Sequence, residues 1–129
     1  MPLNDRPISD FMTAHPYSIG VDQPLTRAHQ LMREHQIRHL PVLKGGALVG
    51  IVTERDLALV EALPGVERDA VKVEEAMSDE VFEVEPSASF REVVSKMAEH
   101  KFGSAIVTER NKLLGVFTTI DALRSLNAQ

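Results

Sequence analysis

The sequence predicts a mixed α/β (α+β) fold in which one β-α-β-β-α unit is built twice, and three observations lead there. Residues 8–59 lie over residues 73–124 at a constant offset of 65 without a gap, and self-similarity at a fixed period marks a repeated supersecondary unit. Within each copy the hydrophobic periodicity changes in the same order, from extended to helical, through two more extended runs, and back to helical. The stretch GIVTERD at 50–56 returns as GVFTTID at 115–121 with its glycine, threonine and aspartate in place.

Each copy opens with a short segment, ISDFMT or VEEAMS, followed by an extended stretch, YSIG or FEV. Leu25, Ala28, Leu31 and Met32 then recur at helical spacing, as do Phe90, Val93, Val94 and Met97 in the second copy. Asp22 and Ser87 are N-cap candidates for these helices, and Ser89 with Glu92 offers a competing capping box. Next come HLPVL and ALVGIVT joined across Gly45-Gly46, and SAIVT and LLGVFT joined across Arg110-Asn111. Both pairs read as hairpins whose turn residues tolerate positive φ. A second helix closes each copy, DLALVEAL or DALRSL, and the stretch after the first contains proline, glycine and charges. The expected organisation is therefore repeat 1 at 1–63, a linker at 64–72 and repeat 2 at 73–129. A half-chain of about 60 residues is marginal alone. The expectation is thus that the two sheets pack together with pseudo-two-fold symmetry and that clefts open where the copies meet.

Composition narrows the function. The formal net charge is -5 and no run of lysine or arginine occurs, so the basic footprint of a nucleic-acid binder is missing. Without cysteine there is no disulfide, thiolate zinc site or cysteine nucleophile, which suits a reducing compartment. No apolar run reaches membrane-span length, and MPLNDRPISD lacks a signal-peptide core. A cytoplasmic protein without a membrane partner is expected. His35 and His39 are four apart, but the helix should end near His35 and His39 should begin a strand, so helical spacing cannot place them on one face; no metal site is expected. No nucleophile elbow or phosphate-cradling GxxxxGK[ST] stands out, and the chain is not expected to be an enzyme.

The repeated junction carries the chemistry that remains. A helix N-terminus presents free N–H groups and partial positive charge, which favour a phosphate. A carboxylate one turn in can accept both hydroxyls of a ribose. Gly50 and Gly115 would let a ligand or a neighbouring strand approach the backbone. Thr53-x-x-Asp56 and Thr118-x-x-Asp121 also fit a capping box, which is a purely structural reading. Arg55 adds a guanidinium that could meet a phosphate, whereas its counterpart is Ile120. The first site is therefore the better candidate for a charged ligand.

Met-Thr or Met-Ser near the start of each copy, IRHLPV at 37–42 and LVGIVTERDL at 48–57 together resemble the CBS domain, and the tandem resembles a CBS pair, or Bateman module, from about Ile8 to Leu126. With the resemblance covering nearly the whole sequence, an attached catalytic domain is not expected. It implies a regulatory module binding AMP, ADP, ATP or S-adenosylmethionine in clefts between the repeats, with no cofactor required, with Mg²⁺ able to accompany the nucleotide, and with association into a homodimer. It assigns Thr53 and Thr118 to phosphate or ribose, and Asp56 and Asp121 to the ribose hydroxyls. The base would meet Thr13, Pro16, Tyr17, Arg38, His39 and Pro41 at one site. At the other it would meet Ser78, Val81, Phe82, Ser104 and Ile106, with Val81 and Ile106 standing where the first copy has prolines. The regulated protein is not visible in the sequence, and a ligand-independent dimerisation scaffold is the alternative.

Overall fold

The structure is a computed structural model and describes residues 2–128. In chain order the elements are β1 (Thr13–Ala14), β2 (Ile19–Gly20), α1 (Leu25–His35), β3 (His39–Lys44), β4 (Ala47–Thr53), α2 (Glu54–Glu61), β5 (Glu83–Val84), α3 (Phe90–His100), β6 (Ser104–Glu109), β7 (Lys112–Thr118) and α4 (Thr119–Asn127). They form two compact units: Tyr17–Val81, and a second that joins the chain up to Pro16 with the chain from Phe82 onward. The opening segment of each repeat is thus built into the unit that holds the other repeat's hairpin.

In the Tyr17–Val81 unit the sheet order is β2-β3-β4, with β2 parallel to β3 and β3 antiparallel to β4. Gly45 and Gly46 turn the hairpin at φ 58° and 84°, the two positive values that a tight primed turn demands. The core gathers Leu25, Ala28, Leu31 and Met32 of α1 with Leu40, Val42, Val52 and Leu57, and the later residues Val73 and Ala76 complete it. Periodicity at i, i+3 and i+4 is what points this stripe of α1 at the sheet.

The other unit repeats the arrangement and adds a strand, in the order β1-β7-β6-β5. Its hairpin turns on Arg110 and Asn111 at φ 52° and 65°. Its core joins Phe90, Val93 and Met97 of α3 to Ala105, Val107 and Phe117, and Ile8 fills the place that Val73 takes in the first unit. Both first helices end on a left-handed residue, Gln36 or Lys101, and Ile37 N donates to Met32 O as Phe102 N does to Met97 O. That termination turns the chain into the next strand. It also separates His35 from His39, which opens β3, as the sequence predicts.

The exchanged segments hold the helix starts. Phe90 N donates to Arg6 O at 2.9 Å, and Leu25 N donates to Val71 O at 3.0 Å; the partners are again 65 residues apart. Asp22 does not cap α1, contrary to expectation: Pro24 occupies the N-cap position without a side-chain bond, and the carbonyls of Val71 and Arg68 take the first amides instead. Ser87 is likewise not the cap of α3, because Ser89 Oγ accepts from Glu92 N at 3.1 Å. Of the two competing readings, the later serine is correct.

Close approach explains the repeated glycines. A Cβ on Gly50 would stand 2.7 Å from Met77 Sδ and 2.7 Å from Ser78 O, and one on Gly115 would stand 2.9 Å from Thr13 O. Ile51 and Ser78 exchange both backbone bonds at 2.9 Å, while Thr13 pairs with Val116 across β1 and β7. A neighbouring chain segment, the second of the two occupants that the sequence allowed, fills the space.

Gly50→Ala should therefore cost about 1–3 kcal/mol, the usual range for overpacking a filled site, read as a lower urea midpoint; an unchanged midpoint would contradict the contact. Ser89→Ala should cost about 0.5–2 kcal/mol and Ser87→Ala far less, because only Ser89 caps a helix; equal costs would refute the assignment.

Candidate functional site

The two strand-to-helix junctions have the same backbone geometry. β4 ends at Thr53, whose extended backbone makes it the N-cap of α2. Thr53 N donates to Asp56 Oδ2 at 2.9 Å, and Asp56 N donates to Thr53 Oγ1 at 3.1 Å. β7 ends at Thr118 in the same way: Thr118 N donates to Asp121 Oδ2 at 2.9 Å and Asp121 N to Thr118 Oγ1 at 3.3 Å. Both capping boxes are therefore closed, and the structural reading of the motif is realised in each unit.

Closure leaves defined groups over. Glu54 N donates to Arg38 O at 3.0 Å and Thr119 N to Gly103 O at 3.2 Å, so the first-turn amide without a protein acceptor among the described residues is that of Arg55 in α2 and Ile120 in α4. The bonds to each aspartate all end on Oδ2. Oδ1 of Asp56 and of Asp121 has no hydrogen-bond partner among the described residues. One open donor and one open charged acceptor thus stand a residue apart at each helix start, suited to a ligand with a phosphate and a vicinal diol.

Arg38, His39, Pro41, Tyr17, Thr53, Arg55 and Asp56 all belong to the Tyr17–Val81 unit, as do Ser78 and Val81; Thr13, Pro16, Phe82, Ser104, Ile106, Thr118 and Asp121 belong to the other. His39 pairs in register with Thr53, and Ser104 with Thr118, so the hairpins bring these four to their junctions. Pro41, Ser104 and Ile106 are buried, whereas Arg38 and Arg55 face solvent. Ile106 has a backbone reason for replacing the proline of the first copy: its N–H donates to Phe82 O at 2.8 Å. Tyr17, half exposed, stacks on His35 with ring centroids 3.6 Å apart and planes 12° apart. Phe82 instead stacks on Phe102 at 5.2 Å. Ser78 and Thr13 are engaged by their backbones with Ile51 and Val116, and Ser78 Oγ accepts from Glu80 N.

Sequence reasoning missed Glu54. Its Oε2 lies 3.7 Å from Arg38 Nε, a pairing set by hairpin register and by the Glu54 N–H to Arg38 carbonyl bond; the sequence signal was its place inside TERD.

A family model, CBS domain, matches residues 8–62 and again 73–128. The chain belongs to the CBS domain family. Hypoxic response protein 1 of Mycobacterium tuberculosis is 31% identical over 118 residues, covering 91% of this chain and 82% of that protein. Its crystal structure with two coordinated zinc ions is similar at a TM-score of 0.80 with 28% identity, over 92% of this chain and 97% of that one; here no group of three or more His, Cys, Asp or Glu among the described residues could hold a metal ion. The CBS domain pair of MJ0100, solved with 5'-methylthioadenosine and S-adenosyl-L-methionine, has a TM-score of 0.83 at 23% identity, over 98% of both chains. CBSX2, solved with AMP, has a TM-score of 0.83 at 22% identity, over 95% of this chain and 97% of that one. Where an enzyme matches, the shared part is a minority of it: 22% of the inosine-5'-monophosphate dehydrogenase of Korarchaeum cryptofilum. No helix among the described residues of this CBS pair is long and apolar enough to cross a membrane.

Because the box needs only an acceptor at Asp56, Asp56→Ala should cost about 0.5–1.5 kcal/mol of stability, the net worth of one hydrogen bond, while Asp56→Asn, whose amide oxygen can still accept from Thr53 N, should cost less. Equal losses on thermal melting would show that the charge rather than the hydrogen bond holds the box.

Proposed function

We propose that this CBS pair is a regulatory module that binds an adenosine-containing ligand, such as AMP, ADP, ATP or S-adenosylmethionine, and passes its occupancy to a partner protein. The observation that carries the reading is the pair of groups left open at each junction, Asp56 Oδ1 with the Arg55 N–H and Asp121 Oδ1 with the Ile120 N–H. The complexes of MJ0100 and CBSX2 with adenosine ligands support its extension to this chain. Asp56 and Asp121 would accept the ribose hydroxyls, and Thr53 and Thr118 would lie beside the ribose or phosphate. Arg55 and Arg38 would attract phosphate at the first junction. Tyr17, His39 and Pro41 are the base-contact candidates in the unit of the first junction, and Phe82, Ser104 and Ile106 in that of the second; Thr13 and Pro16, which the resemblance assigns to the first site, belong to the unit of the second junction, and Ser78 and Val81 to that of the first. Mg²⁺ would accompany a polyphosphate. A net charge of -5 argues against nucleic acid, and the proposed setting is the cytoplasm, with regulation rather than catalysis as the role.

We take the assembled form to be a homodimer. No residue of α4 is buried, and Ile120, Leu123 and Leu126 are each more than half exposed along it. Leu59 of α2 and Leu63 just after it are exposed as well. Such apolar helix surface is what a second copy would cover. Ligand would act by favouring one geometry of the module or its dimer, and the regulated protein must distinguish the two.

The closed capping boxes favour a second reading, a ligand-independent scaffold in which the two aspartates serve folding alone. Isothermal titration with AMP, ADP, ATP and S-adenosylmethionine, with and without Mg²⁺, separates the two. Saturable binding in the parent, weakened at least about tenfold in Asp56→Asn through loss of hydrogen bonds to a charged acceptor, is the expected result. No binding by any of the four would select the scaffold. Leu123→Glu should shift the mass by light scattering from dimer to monomer; a parent already monomeric would refute the dimer.

A further inference from the structure

The two junctions share their backbone bonds but not their charges. Arg38, Glu54 and Arg55 of the first stand where the second has Gly103, Thr119 and Ile120. At the second, Thr119 takes the place of the acid and bonds the Gly103 carbonyl through both its N–H and its hydroxyl. At the first, the same backbone bond holds Arg38 and Glu54 side by side, and Glu54 Oε2 stands 3.7 Å from Arg38 Nε. The two side chains are 79% and 63% exposed, so the pair is weak and easily parted. Glu54 is the first residue of α2, next in sequence to Arg55, so its carboxylate is carried by the first turn of that helix. A carboxylate there already enjoys the field of the helix start that would attract a phosphate.

We propose that Glu54 is a built-in competitor for the ligand's phosphate. It neutralises Arg38 and repels anions at the first turn of α2, so that affinity at this junction is discounted in proportion to phosphate charge. The proposal rests on the nucleotide reading above and deepens it by naming a specificity-determining residue. Arg38 and Arg55 would otherwise favour ligands in the order of their charge, and Glu54 flattens that order toward nucleosides and monophosphates. The second junction carries neither the cations nor the acid and has no such selection.

The test is calorimetric titration of the parent, Glu54→Gln and Arg38→Gln with adenosine, AMP and ATP, in low salt without Mg²⁺. Glu54→Gln should bind AMP about two- to fivefold more tightly, as befits one exposed charge pair, and ATP by a larger factor, with adenosine unchanged. Both gains should shrink as salt is added. Arg38→Gln should weaken AMP and ATP and leave adenosine alone. Glu54→Gln affinities that are unchanged, or that shift equally for all three ligands, would overturn the proposal while leaving the nucleotide reading intact. A parent that binds none of the three would overturn both.

Discussion

A Cβ on Gly50 would collide with the Ser78 carbonyl and the Met77 thioether, and one on Gly115 would press on Thr13; the absence of those carbons is the constraint from which the two units follow. Each glycine lets a segment from the other repeat's start lie against its hairpin. Once there, that segment supplies ladder bonds to the strand and backbone carbonyls to the first helix. Val71 O receives Leu25 N, and Arg6 O receives Phe90 N. It also supplies core, since Val73 and Ile8 are fully buried among the side chains of those units. A half-repeat is marginal because it buries too little; borrowing a buried β-branched residue and a helix cap relieves both shortages.

The strand held in this way delivers its last residue to the candidate site. Thr53 and Thr118 end the central hairpins and start the second helices, and each box with its aspartate uses one carboxylate oxygen while leaving the other open. Capping therefore leaves room for the proposed ligand, which would draw on the other oxygen of each aspartate. The box orients the carboxylate, and a ligand would meet an acceptor already fixed in place, which lowers the ordering cost of binding.

Much of this was legible in the sequence because local physics determines it. Leu25, Ala28, Leu31 and Met32 face a sheet by helical spacing alone, and Gly45-Gly46 or Arg110-Asn111 between apolar runs specifies a tight hairpin whatever surrounds it. The repeat offset carried one element assignment to its partner. Illegible features were those decided by non-local contacts. Asp22 looks like a cap until the carbonyls of Val71 and Arg68 arrive at Leu25 and Thr26 from more than forty residues away in sequence. A tandem repeat is also mute about which copy its opening segment serves, since ISDFMT and VEEAMS have the same pattern. The Arg38–Glu54 pair needed the hairpin register, which aligns His39 with Thr53 and so sets Arg38 beside the start of α2.

The most direct test of the junction as a ligand site is a residue-resolved ¹H–¹⁵N NMR titration with AMP. The first-turn amides of Arg55 and Ile120, which have no acceptor among the described residues, report on the site without mutation. The account predicts saturable shifts at the Arg55 amide, larger than at the capped amides of Thr53 and Asp56, with a weaker response or none at Ile120. Saturable shifts confined to residues away from both junctions, or no shifts at all, would contradict it.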